Sequence, residues 1–251
     1  MISIESIYSD YLDKLQEETK KKYDKYKGWF SASQAGKCYK QQWYRINDTE
    51  SQPFEEKTKR ILRLGTVIHN DIQASLIELR DKNQDWLKNV DILIEERIEL
   101  PEYNVVGHLD IAVVDKENHI IYLTDLKSIN DWNYKIKFGL IKNRRPTSNH
   151  YSLQVGTYGL GLLKYYKDTY NEDYNIQMDL LWYNKNDSRM KSGMVEDHWL
   201  NAAAMYWEDL NEFLDEVGDE ISNILPETAI GIPFSNWECN YCQYSKICKG
   251  E

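Results

Sequence analysis

Three segments with strand chemistry follow one another over residues 91–100, 105–114 and 119–126, each rich in Ile, Val and Leu. Turn formers part them, Pro101 to Asn104 and Asp115 to Asn118, so the second and third are read as a hairpin. A sheet built this way has faces that other elements must cover, and the flanking sequence supplies helices. Residues 5–27 read as a charged helix, and Ser31 or Ser33 offers an N-cap for a short helix carrying Cys38. Pro53 suits the first turn of a longer helix ending near Arg80, whose apolar set Ile61, Leu64, Ile68, Ile72, Leu76 and Leu79 keeps a helical spacing. A helix over 148–166, a strand over 176–183 and a helix over 199–224 complete the order. That order predicts an α/β fold, a mixed central sheet flanked by helices.

A chain of 251 residues with 41% hydrophobic content can bury one substantial core. No stretch approaches the roughly 20 consecutive apolar residues that span a bilayer. The first residues are acidic where a secretory leader would be basic and then apolar, so the chain is read as cytoplasmic, with no membrane partner. A net charge of −10 argues against coating nucleic acid broadly, but allows a local basic groove in an acidic shell. Charge is unevenly spread: Lys135, Lys137, Lys142, Arg144 and Arg145 fall in one segment that would suit phosphates or simply a solvated face, whereas 208–220 carries acids and no base. A glycine-rich phosphate loop is absent from the sequence, which disfavours a nucleotide-driven motor or a dehydrogenase.

The chemistry concentrates on the expected hairpin. Asp125 and Lys127 sit two apart on one strand and therefore share a face, and Asp110 lies on its neighbour. Two carboxylates converging there would hold a hard cation such as Mg²⁺ or Mn²⁺. For phosphodiester hydrolysis such a cation clamps the phosphate and activates water, and a nearby lysine balances charge developing on phosphorus. A lone D-x-K is weak, since strands often place both residues on a wet face. Upstream, His69 in the amphipathic helix offers a nitrogen ligand that biases the site toward manganese. Downstream, Gln154 and Tyr158 are four apart, hence on one helix face.

In order, Gly65-x3-His69, Gly107-x2-Asp110, Asp125-x-Lys127 and Gln154-x3-Tyr158 resemble the RecB-like branch of the PD-(D/E)XK nucleases. The resemblance implies a restriction-endonuclease-like core over 54–190 inside a single nuclease domain spanning 1–251. It implies that His69, Asp110, Asp125 and the backbone carbonyl of Leu126 bind the cation. Lys127 becomes the catalytic lysine beside Asp110 and Asp125, and Gln154 and Tyr158 contact DNA; the charge pattern, not the resemblance, adds Lys135, Lys137, Arg144 and Arg145 as further DNA contacts.

The chain's four cysteines are Cys38 and then Cys239, Cys242 and Cys248, spaced C-x2-C-x5-C. A reducing compartment disfavours disulfides, and four thiolates suit zinc or a [4Fe–4S] cluster. One cysteine before the nuclease motifs and three after them is similar to the iron staple of AddB-type and CRISPR-associated Cas-four-type nucleases, which implies a [4Fe–4S] cluster. In that reading 1–53 and 191–251 form a helical cap joined by the cluster. The resemblance further implies an exonuclease acting on DNA ends, single-stranded DNA and 5′ to 3′ polarity, in CRISPR adaptation, phage recombination or DNA repair. The alternative is a non-catalytic adaptor that positions DNA ends for an integrase or recombinase partner.

Overall fold

The carboxylate of Asp115 accepts the backbone N–H groups of Glu117 at 3.1 Å and Asn118 at 3.0 Å, closing the turn that joins β5 (Ile111–Asp115) to β6 (Ile120–Ile129). The two strands pair antiparallel, Ile111 opposite Thr124 and Asp115 opposite Ile120, so the expected hairpin forms. The structure is a computed structural model and describes residues 3–82, 87–142, 149–223 and 236–250.

Upstream, the expected strand over 91–100 is two strands, β2 (Val90–Ile94) and β3 (Arg97–Leu100). The expected strand over 105–114 likewise divides into β4 (Val105–His108) and β5. Pairing runs on through both breaks: Ile94 faces Ile111 and Arg97 faces His108, in one continuous register. Between them Glu95 adopts φ +52, its N–H donates to the Asp110 carbonyl at 3.2 Å, and Leu109 N–H donates to Glu96 at 3.0 Å. The ribbon is therefore kinked without losing register, and its two halves enter different sheets. One sheet is ordered β1–β4–β3, with β1 (Phe30–Ser31) parallel to β4; the other is ordered β2–β5–β6–β7–β8.

β6 and β7 (Asn175–Asn184) run parallel, which demands a long crossover. α4 (Asp131–Lys137) and α5 (Asn149–Tyr170) provide it. β8 (Met190–Val195) then closes an antiparallel edge on β7. α5 carries Leu153, Val155 and Leu162 into the core, where it packs on α6 (His198–Val217). Between the two helices the fully buried Trp207 donates Nε1–H to Thr157 Oγ1 at 2.9 Å. Each large apolar side chain buried here contributes about 1.5–3 kcal/mol relative to exposure. α6 stops at Gly218, φ +50, short of the expected end; 218–223 is a 3-10 helix and residue 224 lies outside the described residues.

The N-terminal half corrects several expectations. α1 (Ile4–Tyr23) forms, but Cys38 precedes rather than rides on α2 (Tyr39–Ile46), and the helix that starts directly after Ser31 is a 3-10 turn, Ala32–Gln34. α3 (Glu56–Asp81) begins after Pro53. Its apolar set is not a buried stripe: Ile61 and Leu64 are exposed and Ile68, Ile72, Leu76 and Leu79 only half-buried, whereas Lys59 and Gln73 are buried. The reason is narrow support, since α3 touches chiefly α1, β2 and β6. Lys59 ties it to α1, with Nζ 2.5 Å from Asp13 Oδ1 and 2.6 Å from Glu56 Oε1. No helix among the described residues is long and apolar enough to cross a membrane.

Candidate active site

Two glycines of the motifs set the approach of the elements that meet here. A Cβ at Gly65 would stand 3.1 Å from Ser128 Oγ, so α3 lies close on β6 and carries His69 over the strand that bears Asp125. A Cβ at Gly107 would stand 2.7 Å from the Ala32 Cβ and 2.8 Å from the Tyr158 ring, so β4 leaves room for α5 only because the residue is glycine.

The kink after Leu109 turns Asp110 out of the ladder. Its Oδ2 accepts the backbone N–H of Leu126 at 2.6 Å, and its Oδ1 lies 3.5 Å from His69 Nδ1. Beside it on β6, Asp125 is only 1% exposed. Its Oδ1 accepts from Gln154 Nε2 at 3.2 Å, and Gln154 also donates to the Tyr158 hydroxyl at 2.9 Å. Asp125 Oδ2 has no directional hydrogen-bond donor among the described residues, although the Lys127 ammonium stands 2.6 Å away as a charge partner. His69, Asp110, Asp125, Lys127, Gln154 and Tyr158 thus come together, all lining one cleft of about 1640 Å³.

Burial raises the pKa of Asp125 to about 6, against the Lys127 cation and with the Asp110 charge adding to the rise. Asp110 goes the other way: burial opposes its charge, but the His69 hydrogen bond, Lys127 and the Leu126 N–H outweigh burial and hold it below the usual range. Burial also opposes the charge on Lys127, and the two carboxylates overcome it, so its pKa is raised. Neighbouring carboxylates whose environments push their pKa values apart mark a candidate reactive site.

An imidazole and two carboxylates suit a divalent cation. Leu126 fits the same role, because N–H and C=O of one strand residue point the same way and its N–H already faces Asp110. Among the described residues no group of three or more His, Cys, Asp or Glu side chains is gathered tightly enough for distance alone to mark a metal site.

Of the basic segment, Lys137 comes near the Lys127 end of the site, over Trp182, the β7 residue paired with Lys127. Lys135 pairs with Asp131 at 2.6 Å, Lys137 stands 4.8 Å over the Trp182 ring, and neither lines the cleft. Arg144 and Arg145 fall outside the described residues. The basic side chains that do line the cleft include Lys20, Arg45 and Arg63, which sequence reasoning passed over because they are scattered along the chain. Glu95 was missed too; it lines the same cleft and receives Gln73 Nε2 at 2.8 Å.

The C-terminal segment returns to the start of the chain. Gln52 N–H donates to Gln243 O at 2.9 Å, Gln243 Nε2 donates back to Gln52 O at 2.7 Å, and Tyr44 stacks on Tyr244 at 5.4 Å. Cys38, Cys239, Cys242 and Cys248 are all half-buried thiols. Burial raises the Cys242 thiol pKa, and Cys38, Cys239 and Cys248 are near enough to add to the rise.

A profile of the PD-(D/E)XK nuclease superfamily matches residues 4–249. No curated protein sequence matches the chain. Among solved structures, SSO0001 is 15% identical with a TM-score of 0.48, covering 97% of each chain. An alkaline exonuclease (LHK-Exo) from Laribacter hongkongensis is 16% identical with a TM-score of 0.46, covering 80% of this chain and 93% of that one.

Proposed function

The chain belongs to the PD-(D/E)XK nuclease superfamily, and on that footing we propose that it is a divalent-metal-dependent exonuclease hydrolysing DNA from its ends. The observation that carries this reading is the meeting of Asp110, Asp125 and Lys127 on the kinked ribbon and β6, under His69. His69, Asp110, Asp125 and the Leu126 carbonyl would hold Mn²⁺ or Mg²⁺. When bound, the cation clamps the scissile phosphate and lowers the pKa of the attacking water.

The protein's own groups do the rest. Lys127 stays cationic, because the carboxylates raise its pKa, and so stabilises charge growing on the phosphoryl oxygens rather than removing a proton. Gln154 holds Asp125 by one oxygen and leaves the other facing Lys127. Tyr158, held by the same amide, forms part of the wall against which DNA would lie. Lys20, Arg45 and Arg63 stand on the cleft wall among acids such as Glu18, Asp48 and Glu50, and would offer local contacts to the phosphates of a single strand. Single-stranded DNA degraded 5′ to 3′ is the substrate favoured by the family resemblance, in CRISPR adaptation, phage recombination or repair, beside an integrase or recombinase.

Cys38, Cys242 and Cys248 lie near enough to Tyr44 to act on its hydroxyl, and together with Cys239 they would be the donor set of a [4Fe–4S] cluster tying Cys38 to the C-terminal segment. The cluster's part would be structural.

The test is degradation of end-labelled single- and double-stranded DNA in Mn²⁺ by the wild type and by Lys127→Ala. Loss of the ammonium is expected to lower kcat by about 10²–10³-fold, the scale of removing one charge-stabilising donor. Equal rates for the two proteins would leave only the reading of a DNA-end-binding adaptor.

A further inference from the structure

α3 leaves its apolar residues half in solvent yet buries a glutamine. Gln73 is 4% exposed and sits one turn beyond His69, on the same helix face. Its Nε2 donates to Glu95 Oε1 at 2.8 Å and to the Asp110 carbonyl at 3.3 Å. That carbonyl also accepts the Glu95 N–H at 3.2 Å. Glu95 holds a left-handed φ of +52, a conformation costly for a side chain of its kind that persists only where its surroundings fix it. One buried amide therefore joins both strands of the ribbon where the ladder breaks.

We infer that Gln73 is a positioning residue for the cation site. It fixes the peptide of Asp110, so that the carboxylate is delivered between His69 Nδ1 and the Leu126 N–H, and Glu95 is the anchor that holds the amide in place. α3 then contributes twice, with His69 beside the Asp110 carboxylate and Gln73 on the Asp110 backbone. The inference rests on the reading of Asp110 as a ligand of the divalent cation.

The experiment is calorimetric titration of Mn²⁺ into the full-length wild type, Gln73→Met and Glu95→Gln, with the Mn²⁺ dependence of DNA cleavage measured in parallel. Gln73→Met keeps the length and loses both hydrogen bonds, and is expected to weaken Mn²⁺ binding about 10–100-fold, as loss of a hydrogen bond supporting a metal ligand does. Its kcat at saturating Mn²⁺ should recover to within a few-fold of the wild type, a split that a merely destabilised protein would not give. Glu95→Gln keeps an acceptor oxygen for the amide and should lose clearly less. Unchanged Mn²⁺ affinity in Gln73→Met overturns the inference, and so does a loss in Glu95→Gln as large as in Gln73→Met, which would make Glu95 itself a ligand. If Gln73→Met does not fold, Glu95→Ala removes the anchor instead, and wild-type affinity there is equally fatal. A wild type that binds Mn²⁺ but cleaves no DNA would sink the nuclease reading and leave the positioning role standing.

Discussion

Asp125 is held in a state that a proton and a cation both want. Burial raises its pKa to about 6 from 3.8, so in the metal-free protein its charge is tolerated rather than favoured. For a carboxylate whose folded pKa is raised, the contribution to stability is largest below the unfolded value and is lost as pH climbs through the folded one. Asp110, held low, contributes in the opposite sense: its stabilisation is present above the ordinary carboxylate pKa and disappears in acid. A cation at this site needs both groups ionised, and Asp125 is the last to ionise. From pH 6 to pH 5 the ionised fraction of Asp125 falls about five-fold, approaching tenfold per unit in stronger acid, and the Mn²⁺ concentration for half-maximal cleavage should rise by the same factor. Excess Mn²⁺ should restore much of the rate at pH 5. Cleavage measured on a grid of pH and Mn²⁺ checks this, and a half-maximal concentration flat from pH 7 to pH 5 would mean that Asp125 does not meet the cation.

β4, β5, β6, α3 and α5 carry the proposed site, and of these the β5–β6 hairpin and α5 read most clearly from sequence. The hairpin from Ile111 to Ile129 follows from its apolar strand formers and the Asp115 turn, and it sets Asp110 beside Asp125 and Lys127 as their spacing implies. The kink at Glu95 and Asp110 left no trace in the pattern, because pairing keeps one register through the break and alternation survives. β1 is two residues long, too short for any period, and β8, with Lys191, Ser192 and Gly193 on an edge, lacks the apolar alternation that marks a strand. α3 misled in another way: its apolar spacing is helical, but no broad surface covers it, and the buried positions are polar ones that tie it to α1 and to the ribbon. Gly107 shows what close approach asks of these elements. Gly107→Ala would set a methyl against Ala32 and the Tyr158 ring, both under 3 Å, and neither neighbour has a free path away. It should cost about 1–3 kcal/mol by overpacking. Urea unfolding checks the magnitude, and a variant as stable as the wild type would show that β4 and α5 part easily.

Both ends of the chain come to one cleft: α1 lines it through residues such as Leu15 and Thr19, and the C-terminal segment through Gln243 and Tyr244. Among the described residues, α1 buries Leu12, and Ser9 donates to Glu56 Oε2 at 2.5 Å. α1 is held to α3 by Lys59 with Asp13, and the C-terminal segment by the paired Gln52–Gln243 hydrogen bonds and the Tyr44–Tyr244 stack. A tie between Cys38 and Cys248 through a cluster would add a restraint on this wall far stronger than any one of these contacts. About 200 residues of chain separate Cys38 from Cys239, and closing so long a loop removes much freedom from the unfolded chain. Protein purified anaerobically should therefore be brown and carry iron and sulphide, close to four of each per chain as a [4Fe–4S] cluster requires. Cys248→Ser should lose most of that iron, melt at a lower temperature and be cut by trypsin in both terminal segments before the sheet is touched. Joint release is the informative result, because damage to the C-terminal segment alone would spare α1. A colourless wild type whose melting temperature does not respond to Cys248→Ser would mean that the hydrogen bonds and the tyrosine stack hold the wall by themselves.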